Sequence, residues 1–139
     1  MATSWVSRND YLTQQETQNN AQMFYQTMKN YGFTLESICG MLGNIQAESG
    51  INPGIWESLD PYLGGYGLVQ WTPYTKYSEW AGSGWQDNGQ KECERIKWEF
   101  DNNVQWSTDY DYSVSMSAYQ FRTSHDSVET LAVAFLWNY

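Results

Sequence analysis

With 139 residues the chain can bury one core without disulfide or metal staples, and 41% hydrophobic content fits a single globular domain. Seven Lys and Arg against 16 Asp and Glu leave a formal charge of −9, which sets aside duplex nucleic acid and anionic membrane surfaces as partners. Eight Trp, eleven Tyr and five Phe exceed what such a core requires; about half of them are expected inside, and the surplus suits stacking on sugar rings.

The start, Met1-Ala2-Thr3-Ser4-Trp5-Val6, has no basic residue followed by an apolar run, so no signal peptide is expected. The first predicted helix opens on Thr13-Gln14-Gln15-Glu16, a capping-box pattern. It carries Ala21, Phe24 or Tyr25, and Met28 on one face and stops near Gly32. The second runs from a Thr34 N-cap to Gly50 with Leu35, Ile38, Leu42 and Ile45 as its stripe, and Cys39 sits within it.

Residues 52–90 hold all three prolines and most of the glycines, so helix is not expected across most of this stretch. Within it, Gly64 to Trp71 reads as a turn feeding a short strand, one arm of a small hairpin. A third helix is expected over about Lys91 to Trp106, with Cys93, Ile96, Phe100 and Val104 inward. A fourth begins at Asp126 and aligns Val128, Leu131, Ala132, Phe135 and Tyr139. That helix is still running at Tyr139, as in a truncated piece of something longer. Its apolar run, Leu131 to Trp137, is too short to span a bilayer. No repeat or linker divides the chain, so residues 1–139 form one α+β domain, mainly helical with one β-hairpin after the second helix.

Glu48 is the leading chemical candidate. It lies three residues after Ile45, toward the buried side, and in a last helical turn that disfavours negative charge. Burial and dipole together favour the protonated acid that a glycosidic oxygen needs as proton donor. The bland alternative is a solvated helix-end Glu. A single histidine, His125, makes an ordinary zinc site improbable, and Cys39 in mid-helix makes a poor thiol nucleophile. No metal and no cofactor are expected, and no phosphate-binding glycine loop is present. Cys39 and Cys93 both read as small core residues, with one bridge between them left open.

The string Gln46-Ala47-Glu48-Ser49-Gly50-Ile51-Asn52-Pro53, followed 22 residues after Glu48 by Gln70 of Gly67-Leu68-Val69-Gln70, resembles the signature of goose-type lysozymes and lytic transglycosylases. There a helix ending in Glu-Ser faces a Gly-Leu-x-Gln strand along the cleft. The longer stretch from Ile38-Cys39-Gly40-Met41-Leu42-Gly43-Asn44 through Trp71-Thr72-Pro73 is more specifically similar to the phage tail lysozyme family. This resemblance is close over about residues 34–73 and weaker through Ile96-Lys97-Trp98-Glu99 and Leu131 to Tyr139.

It implies a lysozyme-like fold and a muramidase acting on peptidoglycan glycan strands, at the β-1,4 bond between N-acetylmuramic acid and N-acetylglucosamine. Glu48 would be the general acid. The expected setting is a virion tail or the cell wall, with other domains or tail proteins as neighbours. Asp60 is the first choice for a second, water-activating carboxylate, with Glu57 in the same stretch. Asp60 could instead cap the turn before Pro61. Gln70, Tyr66, Trp56 and Trp71 are the candidate substrate contacts, the rings by stacking and Gln70 by hydrogen bonds to hydroxyl or acetamido groups. The alternatives are a lytic transglycosylase that uses Glu48 alone and a non-catalytic wall-binding module.

Overall fold

A computed structural model describes residues 2–108 and 115–139. Six helices organise them: α1 (Gln14–Asn30), α2 (Leu35–Ser49), α3 (Thr75–Ala81), α4 (Gly89–Asp101), α5 (Ala118–Thr123) and α6 (Val128–Asn138). A 3₁₀ turn covers Glu57–Leu59.

The helix starts follow from local chemistry. Thr13 and Glu16 make the expected reciprocal box, each satisfying the other's backbone N–H. Thr34 accepts from Ser37 N–H, and Gly50 ends α2 in the left-handed conformation. Ser127, one residue after the expected start, caps α6 by accepting from Thr130 N–H. Helix α4 ends at Asp101, five residues before the expected Trp106, because Asn103 and Gln105 take positive φ.

Helix α2 is the core element, packed chiefly along α6 and also touching α1 and α5, while α4 packs on α1 and α3. Its stripe is Ile38, Met41 and Ile45, all fully buried; Leu35 is exposed. On α6, Leu131, Ala134 and Phe135 are buried, whereas Val128 is exposed. The α2–α6 seam is close because Gly40 has no side chain: a Cβ there would meet Leu131 and Ala132 atoms at 3.0 Å.

Ten aromatic side chains are buried among the described residues. Nine of them fall into two groups, one around Trp56, Tyr66, Trp71 and Tyr77 and one around Phe33, Phe100, Trp106, Phe121 and Phe135. Ten buried rings against 24 in the sequence is slightly under the half expected inside.

The expected hairpin is not formed. Only isolated antiparallel bridges, Trp56 with Tyr66 and Tyr66 with Trp71, join this segment. The chain before it cannot extend into a strand, because Ser58, Leu59 and Tyr62 all adopt positive φ. Gly67–Gln70 is instead a turn closed by paired Tyr66 and Trp71 backbone bonds. Two short helices, α3 and α5, went unanticipated. Tyr77 of α3 is buried and stacks on Trp71 at 4.8 Å, so α3 is fixed by packing rather than by its own periodicity.

Cys39 and Cys93 are both free thiols, which closes the question of a bridge. Among the described residues no helix is long and apolar enough to cross a membrane.

Candidate active site

The last turn of α2 brings Glu48 to the surface. Its side is exposed, which corrects the expectation of burial. Four residues past Ile45 returns to within about 40° of it and three residues falls about 60° short, so Ser49 takes the inward position. Ser49 is buried and its hydroxyl lies 2.8 Å from Leu68 O and 3.0 Å from Ile45 O. Glu48 thus rests on a fixed base while its carboxyl faces open space.

Two recesses meet at Glu48. The larger, about 340 Å³, is also lined by Tyr11, Trp56, Glu57, Gln70 and Thr72. The smaller, about 130 Å³, is apolar on most sides, with Ile45, Val69, Phe135 and Leu136, and reaches Asn44 and Tyr139. A ligand reacting at Glu48 can therefore extend in two directions.

Glu57 shares the larger recess with Glu48; Asp60 lines neither. The turn carrying Glu57 is clamped by Asn9, whose side chain accepts from Trp56 N–H at 3.0 Å and donates to Leu59 O at 3.0 Å. Glu57 N–H donates to Gly65 O at 2.9 Å, and its carboxylate lies so close to Gly64 that a Cβ there would be 2.6 Å from Oε2. Asp60 is exposed and closes the turn through its backbone, donating to Glu57 O and accepting from Leu63 N–H.

Gln70 enters the recess with φ 55°. Its Nε2 donates to Gly67 O at 2.9 Å and Ile55 O at 3.2 Å, so both amide hydrogens are engaged in the turn. The amide oxygen is left to accept, which narrows the expectation that Gln70 both donates and accepts.

The three rings among the candidate contacts differ. Trp56 lines the recess although only 4% exposed. Tyr66 and Trp71 lie in the core, lining neither recess, with their polar atoms satisfied. The Tyr66 hydroxyl accepts from Asp87 N–H at 2.9 Å and the Trp71 indole donates to Glu99 at 3.0 Å. Burial pushes the Tyr66 hydroxyl far above its ordinary value. These two residues anchor the turn that carries Gln70 in the core, and their rings are not open to stack on a ligand.

Tyr11, Asn9 and Thr72 were not anticipated. The segment before α1 has no regular structure and no hydrophobic period. It is ordered through long-range bonds that sequence spacing does not announce: Asn20 to Val6 and Ile51, and Asn52 to Arg8 and Asp10. Among the described residues no group of three or more His, Cys, Asp or Glu is placed to hold a metal ion. His125 lies on the surface, 3.2 Å from Glu36.

The arrangement offers two carboxylates and an amide acceptor in one open recess, with Trp56 beside them. Such a site can donate and remove protons on a polar, uncharged chain. The model of the phage tail lysozyme family matches residues 19–139. Morphogenesis protein 1 of Bacillus phage B103 is 44% identical over 139 residues, taking in 97% of this chain and 37% of that protein. The chain thus spans a little over a third of that relative's length. With the family match running through both halves of the cleft, from α2 to Tyr139, the chain belongs to the phage tail lysozyme family.

Proposed function

We propose that this domain is a muramidase that hydrolyses the β-1,4 bond between N-acetylmuramic acid and N-acetylglucosamine, opening the bacterial wall in the service of a phage tail. The observation that carries this reading is the position of Glu48 at the junction of two recesses. A glycan strand lying through both would present a glycosidic oxygen to the carboxyl. Glu48 donates its proton to that oxygen as the bond to the anomeric carbon breaks.

The second carboxylate is better assigned to Glu57 than to Asp60, because Glu57 lines the recess with Glu48. Glu57 removes a proton from the water that attacks the anomeric carbon, leaving a reducing end, and its turn is braced by Asn9. The free amide oxygen of Gln70 accepts from an acetamido N–H or a hydroxyl of the sugar. The edge of Trp56 supplies apolar contact.

Glu48→Gln should reduce clearance of purified cell walls by about 10²–10⁴-fold while the melting temperature stays near wild type. Comparable clearance by the variant would overturn the assignment. Mass spectrometry of the released fragments should show reducing ends; anhydro ends would mean that Glu48 acts alone as acid and base.

A further inference from the structure

Beneath the cleft, α4 carries two buried carboxylates that the glycosidase reading does not use. Glu92 and Glu99 are two helical turns apart and so share one face of α4. Both are fully buried. Glu92 Oε1 accepts from Leu68 N–H at 2.8 Å, and Glu99 Oε2 accepts from the Trp71 indole at 3.0 Å. Helix α4 therefore holds the Gly67–Trp71 turn near both ends, with Gln70 between the two anchors.

The anchors differ in chemistry. Glu99 pairs with Arg95 at 3.2 Å and also accepts from the Tyr139 hydroxyl, so a charge there is compensated. Glu92 has no cationic partner, and its Oε2 has no hydrogen-bond partner among the described residues. Burial pushes its carboxyl well above the ordinary range, and the neighbouring Asp87 adds to the effect. The other titratable groups that feel it, Tyr66, Tyr77 and Cys93, bring no positive charge. A buried, unpaired carboxyl is costly to keep, and its one engaged oxygen points at the cleft turn.

Leu68 joins the two sides of the site. Its N–H is held by Glu92 and its carbonyl lies 2.8 Å from the hydroxyl of Ser49, the residue after Glu48. Gly67 makes the approach possible: φ is +85°, and a Cβ would lie 2.4 Å from Glu92 Oε1.

We propose that Glu92 is a positioning residue of the cleft, whose carboxyl fixes the Leu68 amide so that Gln70 meets substrate at a set distance from Glu48. This rests on the glycosidase reading of Glu48 and Gln70. Glu92→Met keeps the volume and removes the acceptor; Glu92→Gln keeps an acceptor oxygen.

The test combines amide hydrogen exchange at Leu68 with kcat and KM on a soluble N-acetyl-sugar oligosaccharide. In Glu92→Met, exchange at Leu68 and KM should both rise about tenfold or more, with a smaller change in kcat, as expected when a buried donor loses its acceptor. In Glu92→Gln both should stay within about threefold of wild type. Unchanged exchange at Leu68 in Glu92→Met, or faster exchange with unchanged KM, overturns the proposal. Should Glu92→Met not fold, Glu92→Gln decides: values near wild type uphold the proposal, and a tenfold rise in either overturns it. Wild-type turnover in Glu48→Gln would sink the glycosidase reading separately and leave the exchange result standing.

Discussion

Two glycines of α2 allow a controlled test of how the cleft is framed. A Cβ on Gly40 would meet Ala132 N, Leu131 C and Leu131 Cβ, each at 3.0 Å, whereas a Cβ on Gly43 would meet nothing within 4 Å. Replacing a helical Gly by Ala stabilises by about 0.8–1 kcal/mol through backbone entropy. Both variants gain that amount, so their difference isolates the clash. Two of the three atoms at Gly40 are backbone, so α6 itself must shift, and overpacking of this kind costs about 1–3 kcal/mol. Gly43→Ala should therefore melt above wild type and Gly40→Ala near or below it. The gap of about 1–3 kcal/mol corresponds to roughly 4–12 °C for a domain of this size. Differential scanning calorimetry reads it directly. Because α6 and the residue that follows it supply Phe135, Leu136 and Tyr139 to the smaller recess, Gly40→Ala should also slow wall clearance while Gly43→Ala leaves it unchanged. A Gly40→Ala protein melting as high as Gly43→Ala would refute the close packing of α2 and α6.

Glu57→Gln should slow wall hydrolysis by about 10²–10⁴-fold, while Asp60→Asn stays close to wild type; the reverse order in a turbidity assay would return the base role to Asp60. Tyr11 is 73% exposed at the mouth of the larger recess, so Tyr11→Ala should raise KM by about two- to tenfold with kcat little changed. An unchanged KM would remove Tyr11 from substrate contact. The Arg8 guanidinium and the Thr13 amide hold the Glu16 carboxyl down at about 2, from an ordinary value of 4.5. Its folded value is depressed, so the stability margin of wild type over Glu16→Gln should be complete above pH 4.5 and vanish as pH falls through about 2. Melting temperatures measured across that range would contradict this if the margin widened on acidification.

Much of the helical plan was legible because it depends on neighbours in sequence. The Thr13–Glu16 box, the Thr34 cap and the Gly50 stop act over four residues or fewer, and Ile38 and Ile45 of the expected stripe are buried, while Met41 rather than Leu42 fills the core between them and Leu35 is exposed. The Glu48 and Gln70 candidates came from a motif at fixed spacing, and the fold does bring them to one recess. The same motif suggested strands around Tyr66 and Trp71. Alternating rings look alike whether they line a groove or fill a core, and only their neighbours in space distinguish the two.

By itself, the sequence determined the existence of the four longer helices, the Thr13 and Thr34 caps, the acidic charge and the family likeness, since these depend on local spacing and composition. Helical period favours Ser49 over Glu48 for the inward position, and only the tertiary structure supplies the partner that holds it there, Leu68 O. The tertiary structure also decided that Glu57 rather than Asp60 shares the recess, through an Asn9 clamp 47 residues away in sequence from Trp56. The α4 carboxylates under the cleft turn belong to the same class: Glu92 looks like any helical Glu until a backbone 24 residues distant closes over it. Contacts of this length leave no periodic trace, since each is made once, between residues that meet only when the chain is folded.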